Sequence, residues 1–456
     1  MITTVFASLK NFEYKVNADS FVRQLNLIPD PAQLENLMDN LKNNEVPVNI
    51  NTVSDSKINA TGEDRILESL AKNGFLEFKS AQKSPALLML PSSYYFEIAN
   101  NEDLEAQKWK ISRFAYIHQY NGEMIMRNPK TLCYLIIKDA AVLNLVFQFN
   151  NVIEKKTLDY TSSLTEQEDT IFWMLVKAGI ILSCDVNNKT LEEIDPTLQQ
   201  WEFHDLLFHS TARMGRTEKN IGGTFRFKGI LEQQPTVKPH SWNREKIPLP
   251  VPNLQELFFR DLTLTAAIET RQSTRSHSLI PLTINQIGEF LYRTVRNRYQ
   301  YSSGYGEFTS RPYPSGGASY ENEIYVTVSA CIGIKRGFYY YDPQHHCLCL
   351  IKEPCKDMEE LLNEAYIATA MTCYPQILLT IASRFNRVSW KYAGMSYATQ
   401  LKHIGVIYQT MYLVATAMNI GACGLGLGNT DRFCQMTGLN YFEEGSLGEF
   451  MLGRPL

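Results

Sequence analysis

The sequence predicts an α+β protein, in which helices and strands follow one another without regular alternation. In the second half of the 456 residues, patterns of helix length and of strand length occur in irregular order. In the first half, a helical pattern that ends in Lys-x-Gly precedes an apolar strand twice, at residues 66–78 and 171–183. Five prolines between residues 235 and 252 indicate an extended linker, so we predict a domain boundary near residue 245.

Composition indicates a globular protein without an overall charge preference for a partner. The chain is 44% hydrophobic and carries 44 basic against 48 acidic residues, so no global field favours nucleic acid or an anionic membrane. Nine scattered cysteines and the lack of a signal-peptide pattern favour a reduced, cytoplasmic protein. The apolar run 171–182 contains Lys177 and is shorter than the ~20 residues that span a bilayer, so we expect a soluble protein.

Each repeated segment is typical of the recognition helix and wing strand of a winged-helix domain. Gly74 and Gly179 stand where a helix needs a left-handed residue just past its end. In the second copy, Asn121-Gly122 is a strong signal for a two-residue hairpin turn. The predicted segments are two winged-helix-like domains at residues 1–105 and 106–200, a connecting helix, strand and proline-rich linker at 201–245, and a C-terminal α+β domain at 246–456.

The winged-helix-like domains are predicted to bind a peptide. Four acidic residues lie on their helices: Glu68, Glu166, Glu168 and Asp169. Their charge opposes DNA binding, which requires a basic helix. A peptide laid along the wing strand is the better interpretation, and the alternative is that these domains only pack and bind nothing.

The second half is predicted to combine long helices with apolar strands. Helices are predicted at 266–269, 284–292, 358–370 and 400–418, and strands at 323–329, 337–342, 347–351, 377–382 and 449–452. Cys347-Leu348-Cys349 alternates like a strand and lacks the spacing of a structural zinc motif. We therefore predict no metal site there.

Three short motifs could together hold a flat, anionic ligand. Arg271, Ser273 and Arg275 lie within five residues, and arginine forks match phosphate oxygens in bidentate fashion. The small-residue loop Pro314-Ser315-Gly316-Gly317 lets backbone come close to a ring. The glycine-rich run 421–428 follows a long apolar helix, and its exposed backbone N–H groups could donate to an electron-rich ring or an anion.

Lys391 and Tyr392 are the candidate catalytic groups. The pKa of a phenol is ordinarily about 10, and a nearby ammonium can lower that pKa by favouring the ionised form. Adjacency in sequence does not by itself bring the two side chains together, so their interpretation depends on the surrounding motifs.

The order of these motifs, with a chain end that reads Gly453-Arg454-Pro455, resembles the nitroreductase-like FMN domain of SagB-type peptide dehydrogenases. Within that group the sequence is most similar to the azoline oxidases of cyanobactin and microcin biosynthesis. The resemblance covers residues 246–456 well and the N-terminal domains more loosely. Two helix positions differ: many members have Gly-His where this chain has Gly405-Val406, and an Arg is frequent at the position of Ala398.

The resemblance implies FMN at a homodimer interface, with the cofactor held by three groups of residues. These are Arg271, Ser273 and Arg275 at its phosphate, with Arg454 as a further contact; Pro314, Ser315, Gly316 and Gly317 against the isoalloxazine ring; and Gly424, Leu425 and Gly426 near its pyrimidine side. The family's Lys-Tyr pair falls on Lys391 and Tyr392. The implied partners are a precursor peptide of leader and core, and a cyclodehydratase that forms azolines.

The activity implied by the resemblance is the oxidation of thiazolines or oxazolines in a ribosomal peptide, with O₂ as electron acceptor. A base must take the Cα proton, and Tyr392, ionised with help from Lys391, is the predicted base. Two alternatives stay open at this point. One is a small-molecule flavin reductase driven by NAD(P)H, and the other is a noncatalytic scaffold that binds peptides.

Overall fold

The computed structural model describes most of the chain beyond residue 105. The described residues are 4–9, 41, 46–49, 67, 70, 76–93, 95–96, 106–217, 219–239, 242, 245–304 and 306–456. The chain divides into two compact units, residues 1–221 and 222–456. The mixture of helices and strands confirms the predicted α+β class.

The first unit contains a seven-stranded and a three-stranded sheet. Its strands are β1 Thr4–Leu9, β2 Val46–Asn49, β3 Leu76–Lys79, β4 Leu87–Pro91, β5 Lys108–Ile111, β6 Tyr116–Tyr120, β7 Glu123–Arg127, β8 Cys133–Ile137, β9 Ile153–Glu154 and β10 Ile181–Ser183. Its helices are α1 Ala141–Gln148, α2 Glu168–Lys177, α3 Leu191–Ile194 and α4 Phe203–Thr211. The sheet orders are β2-β1-β3-β4-β8-β7-β6 and β10-β5-β9.

The second repeated segment folds as predicted. Seven consecutive residues of α2, from Thr170 to Val176, are buried, and Gly179 ends the helix with φ +63°. A Cβ at Gly179 would lie 2.7 Å from Thr131 Cγ2, so this position has no room for a side chain. Asn121 and Gly122 both have positive φ and connect β6 to β7. This turn is the predicted two-residue hairpin.

The structure groups the first unit differently from the predicted division at residue 105. Strand β4 pairs with β8 over five residues, so strands from both predicted segments form one sheet. Of the first repeated helix, Leu67 and Leu70 are helical and buried, whereas Gly74 lies outside the described residues. Cross-strand pairing between distant segments leaves no local sequence signal, so the shared sheet could not be predicted from the sequence.

The second unit is built on one seven-stranded sheet covered on both faces. Its strands are β11 Gly222–Gly223, β12 Lys246–Pro248, β13 Leu282–Thr283, β14 Tyr299–Ser303, β15 Gly306–Ser310, β16 Asn322–Val328, β17 Cys331–Ile332, β18 Gly337–Asp342, β19 Cys347–Lys352, β20 Ile377–Arg384, β21 Tyr392–Ala393, β22 Gly421–Leu425 and β23 Glu444–Gly453. Its helices are α5 Leu254–Arg260, α6 Leu264–Thr270, α7 Ile284–Val295, α8 Lys356–Ala368, α9 Phe385–Ser389, α10 Ser396–Ala417 and α11 Thr430–Thr437. The sheet order is β12-β19-β18-β16-β20-β23-β22.

Burial on both faces explains why the central strands read as continuous apolar runs. All residues of β16 and β20 are buried. Side chains alternate between faces, so Ile324 joins a core with α7 and α10, whereas Tyr325 joins a core with α8 and α11. The helices and strands predicted for this half are confirmed, with small differences at their ends. Among the described residues, no helix is both long and apolar enough to cross a membrane.

The proline-rich segment before residue 245 belongs to the second unit. Strand β11 pairs with β21, which contains Tyr392, and the boundary between units falls at residues 221 and 222. The predicted boundary near residue 245 therefore differs from the one in the structure. Prolines indicate an extended path, but they do not reveal that backbone carbonyls along that path accept hydrogen bonds from elsewhere in the chain.

Candidate functional site

The structure brings Lys391 and Tyr392 against the Pro-Ser-Gly-Gly loop. Both residues follow α9, and Lys391 Nζ lies 3.4 Å from the carbonyl oxygen of Gly317. Gly317 has φ +61°, and a Cβ there would lie 2.4 Å from Lys391 Nζ and 2.5 Å from Tyr392 Oη. Two motifs that are more than seventy residues apart in sequence are thus in direct contact.

The electrostatics at this contact disfavour ionisation of Tyr392. Burial, and then the Glu321 carboxylate, raise the pKa of the Tyr392 phenol above its usual value. Burial, and then the Arg387 guanidinium, lower the pKa of Lys391. Both shifts favour the neutral form of the side chain, a phenol at Tyr392 and an amine at Lys391. The catalytic role of Tyr392 stays a prediction.

The loop is held by two buried residues that the sequence motifs did not indicate. The amide N–H of Gly316 donates to His403 Nε2 at 2.7 Å. His403 Nδ1 lies 2.6 Å from Glu321 Oε1. Neither Glu321 nor His403 belongs to a recognisable short motif. Glu321 follows the loop closely in sequence, whereas His403 is 87 residues from Gly316 and is brought to the loop by the fold.

A segment that we call the strap, residues 222–236, lies over the Lys391–Tyr392 pair. Gly222 and Gly223 pair with Ala393 and Tyr392 in a short antiparallel ladder. The Phe225 amide donates to the Lys391 carbonyl at 3.0 Å, and its ring centroid lies 5.4 Å from Lys391 Nζ. The strap therefore forms one side of the environment of both candidate catalytic groups.

The strap is fixed through its backbone carbonyls. Trp390 Nε1 donates to the Leu231 carbonyl at 2.7 Å, and Arg387 Nη1 donates to the Gln234 carbonyl at 2.5 Å. Arg384 donates through Nη1 to the Pro235 carbonyl at 2.8 Å and through Nη2 to the Thr236 carbonyl at 3.1 Å. Arg384 and Arg387 are buried, so these are charge-assisted bonds largely protected from water.

Tyr412, on α10, joins the arginine motif to the glycine-rich segment. Its Oη lies 2.9 Å from Ser273 Oγ and accepts from the Gly424 amide at 2.7 Å. Its ring centroid is 5.3 Å from Arg271 Cζ. Among the described residues, neither Arg271 nor Arg275 forms an ion pair or a side-chain hydrogen bond. Both guanidinium groups are therefore available to an anion.

The glycine-rich segment is a strand where the sequence predicted an open turn. Residues 421–425 form β22, in which Gly424 pairs with Phe450 and Leu425 with Glu449. The amide of Gly424 is occupied by Tyr412, whereas Gly426 follows the strand and is exposed. Only the residues after Leu425 keep the open backbone that was expected of the whole run.

Arg454 is tied to a neighbouring segment of its own unit. Its Nη2 donates to the Pro281 carbonyl at 3.2 Å, and its amide donates to Gln376 Oε1 at 3.1 Å. These contacts explain its position without a ligand. A phosphate contact for Arg454 stays a prediction.

A cavity of about 470 Å³ is lined by residues from both sides of Lys391–Tyr392 in the chain. Its lining residues are Phe385, Ser389, Ser396, Tyr397, Gln400, Thr430, Tyr441, Phe442, Ser446 and Leu447. The lining contains four aromatic rings and four Ser or Thr hydroxyl groups. Such a lining suits an apolar side chain with a few polar neighbours.

Three potential metal ligands also lie close together in the described residues. Ligand atoms of Asp342, Cys347 and Cys349 are within 4.8 Å of one another. The Asp342 carboxylate already accepts from the backbone amides of Gln344 and His345, and burial raises the pKa of Cys349 to about 12. The carboxylate thus serves the turn, and burial favours the protonated thiol.

Comparison with known families supports the resemblance drawn from the motifs. Residues 109–218 match the family described as "Cyanobactin oxidase ThcOx", and residues 268–454 match the nitroreductase family. The chain thus contains one segment similar to cyanobactin oxidases and another similar to nitroreductases. The family resemblance inferred from the sequence is confirmed, and members of the nitroreductase family typically bind flavin.

Individual relatives resemble mainly the second unit. The nitroreductase-like protein MJ1384 of Methanocaldococcus jannaschii is 26% identical over 182 residues, which are 39% of this chain and 82% of the relative. A nitroreductase-like structure from Ralstonia eutropha is 23% identical, covers 50% of this chain and 97% of its own, and has a TM-score of 0.36. The Escherichia coli microcin synthetase McbBCD complex with truncated pro-MccB17 is 18% identical, with coverages of 43% and 74% and a TM-score of 0.35.

The residues present fit a flavin phosphate. Two unpaired guanidinium groups flank a serine hydroxyl, which is the donor set that a phosphate monoester requires. Ser273 and Gly424 meet at Tyr412, so the arginine motif and the end of β22 lie side by side. An anion held by the arginine motif would therefore lie next to the end of β22.

Proposed function

We propose that the protein is an FMN-dependent azoline oxidase, which converts thiazolines or oxazolines in a precursor peptide to thiazoles or oxazoles. One observation carries the proposal: Lys391 and Tyr392 contact Gly317 in a chain that joins a cyanobactin oxidase segment to a nitroreductase-family domain. This arrangement puts an acid–base pair at the loop that would face the cofactor.

The cofactor residues keep the assignment made from the motifs, with one refinement. Arg271, Ser273 and Arg275 would hold the phosphate, and Pro314–Gly317 would lie against the ring. Gly426 is the member of the glycine-rich segment that is open to the ring, because the Gly424 amide is occupied. When bound, FMN would supply the hydride acceptor for this chemistry, and O₂ would be the final electron acceptor.

Aromatisation of an azoline removes one proton from Cα and one hydride from Cβ. A side chain of the protein must therefore take the proton. Lys391 is the proposed base, because burial and Arg387 lower its pKa. Tyr392 stays protonated and orients the ring by donating a hydrogen bond. The rate should therefore rise with pH as Lys391 loses its proton, and should fall at higher pH as Tyr392 ionises.

The partners follow from the same proposal. The first unit, which contains the cyanobactin oxidase match, would hold the leader of the precursor peptide. The active form would be a homodimer, and a cyclodehydratase would supply the azoline substrate. The division of the first unit into two winged-helix-like parts stays a proposal.

Mass spectrometry tests the proposal. A thiazoline-bearing precursor peptide is incubated in air with the purified protein and no nicotinamide, and we expect a loss of about 2 Da per ring. Lys391→Met and Tyr392→Phe should each lower the rate by about 10²–10⁴ and keep the flavin absorbance. Tyr299→Phe, at an exposed hairpin position, should match the wild type. An unchanged peptide mass with the wild-type protein would refute the proposal.

The nitroreductase match favours one second candidate, a small-molecule reductase driven by NAD(P)H. The two candidates differ in how the flavin is reduced. Anaerobic mixing with NADPH would bleach the flavin within a turnover time in the reductase, whereas in the azoline oxidase only the azoline peptide would do so.

A further inference from the structure

We propose that Glu321 and His403 form a positioning pair, which holds the Gly316–Gly317 backbone in register with Lys391 and Tyr392. The inference deepens the proposed function and rests on it for the roles of Lys391 and Tyr392. It concerns two residues that lie outside every short sequence motif.

The protonation state of His403 is fixed by its two neighbours. Its side chain is 5% exposed, and that of Glu321 is fully buried. An amide N–H can only donate, so the Gly316 amide at 2.7 Å requires a lone pair on Nε2. The ring proton is therefore on Nδ1, which donates to Glu321 Oε1 at 2.6 Å. The ring is a single neutral tautomer, held from both sides.

The pair is connected to the site through two adjacent residues of the loop. The amide of Gly316 donates to His403, and the carbonyl of the next residue, Gly317, accepts from Lys391 Nζ. Ser319 Oγ donates to the Gly316 carbonyl at 2.9 Å, which closes the loop into a tight turn. A displacement of the Gly316 amide would move the surface that Lys391 and Tyr392 contact.

The charge of Glu321 acts on Tyr392. Its carboxylate is the main charged group that opposes ionisation of Tyr392, after the effect of burial. The other charged or titratable groups around the pair and the site are Arg311, Tyr313, Glu323, Arg384, Arg387 and Lys391. The pair thus holds the loop in position, and its carboxylate adds to the effect of burial in disfavouring ionisation of Tyr392.

Two amide variants of His403 test the hydrogen bonds at Nε2 and at Nδ1 separately. A Gln at this position can present an oxygen near the site of Nε2, whereas an Asn can present an N–H near the site of Nδ1. We expect His403→Gln to retain kcat within a few-fold, and His403→Asn to lower it roughly tenfold or more with little change in KM. Hydrogen exchange of residues 314–318 should be faster in His403→Asn than in His403→Gln.

A third variant tests the charge of Glu321 by a measurement that does not require catalysis. In substrate-free protein labelled with fluorotyrosine, the resonance lost in Tyr392→Phe reports the ionisation of Tyr392. We expect Glu321→Gln to shift this titration to lower pH. Equal kcat and equal exchange in His403→Gln and His403→Asn, or an unchanged titration in Glu321→Gln, would overturn the pairing.

The exchange and titration measurements need no azoline substrate. If the wild-type protein failed to oxidise a thiazoline, they would still test the pair, so the two failures can be told apart.

Discussion

Two corners of the second unit differ in how completely their side chains are engaged. At the catalytic corner, which contains Lys391, Tyr392, Gly316 and Gly317, contacts come from the strap, the buried Glu321–His403 pair and Arg387. At the arginine corner, which contains Arg271, Ser273, Arg275 and Gly424, the phenol of Tyr412 joins the parts and both guanidinium groups lack hydrogen-bond partners among the described residues.

The difference follows from the two roles proposed for these corners, proton transfer and phosphate binding. Groups that move protons must be positioned before the substrate arrives, because misplacement by about 1 Å can cost ~10² in rate. Groups that bind a phosphate are completed by the ligand itself, which supplies the missing acceptors. The protein fixes the first corner with its own bonds and leaves the second for the cofactor.

The largest predicted effect is a loss of turnover when a methyl group is added at the catalytic corner. Gly317→Ala would place Cβ 2.4 Å from Lys391 Nζ, so both catalytic side chains must move, and we expect turnover to fall by roughly 10². Gly438→Ala is the matched control, because it has φ +74° and open space around its Cβ. Similar turnover in both variants would show that backbone strain, and not contact with Lys391, determines the result.

An intermediate effect, a loss of FMN affinity, is expected at the arginine corner. Removal of one charge-assisted bond costs about 1.5–3 kcal/mol, so Arg271→Ala should weaken FMN binding by about 10–100-fold. Fluorescence titration of the apoprotein with FMN measures this change. The thermal stability of the apoprotein should change little, since the Arg271 side chain has no hydrogen bond to a described residue and lies against the Tyr412 ring. Gln272→Ala, at the exposed neighbouring position, is the control. Equal affinity in both variants would remove Arg271 from the phosphate site.

The smallest effect, a faster hydrogen exchange, is expected when one hydrogen bond to the strap is removed. Trp390→Phe removes the N–H that donates to the Leu231 carbonyl, at a cost of about 1 kcal/mol. Hydrogen exchange of residues 222–236 should become about fivefold faster. Leu231→Ala keeps the carbonyl and changes only a side chain that is 57% exposed, so its exchange should match the wild type.

The sequence allowed much of the fold to be predicted, because periodicity directly reports burial. Strand β18 has the predicted bounds, and α10 is four residues longer at its start and one shorter at its end than the predicted helix. The glycine-rich run was misjudged because glycine indicates open backbone, whereas Ala422 and Cys423 are buried within β22. Composition reports local conformational freedom, but pairing with β23 is a property of the whole sheet.

Site residues could be predicted only where they belong to short sequence motifs. Lys391, Tyr392 and the Gly316–Gly317 loop could be named in advance, and the structure places them in contact. His403 could not, because a lone histidine in an apolar helix has no sequence signal that separates a loop anchor from a core residue. The ionisation of Tyr392 also depends on Glu321, which is distant in sequence.

The anchors of the strap recognise carbonyl oxygens and no side chain. Trp390, Arg387 and Arg384 donate to residues 231, 234, 235 and 236 through groups that every amino acid carries. Substitutions at 231, 234 and 235 should thus be tolerated, whereas Thr236 is buried and its Oγ1 accepts a hydrogen bond from Gln300. Inserting or deleting one residue between 223 and 231 would shift all four acceptors out of reach, so across homologues the strap should vary in sequence at its exposed anchored positions and stay constant in length.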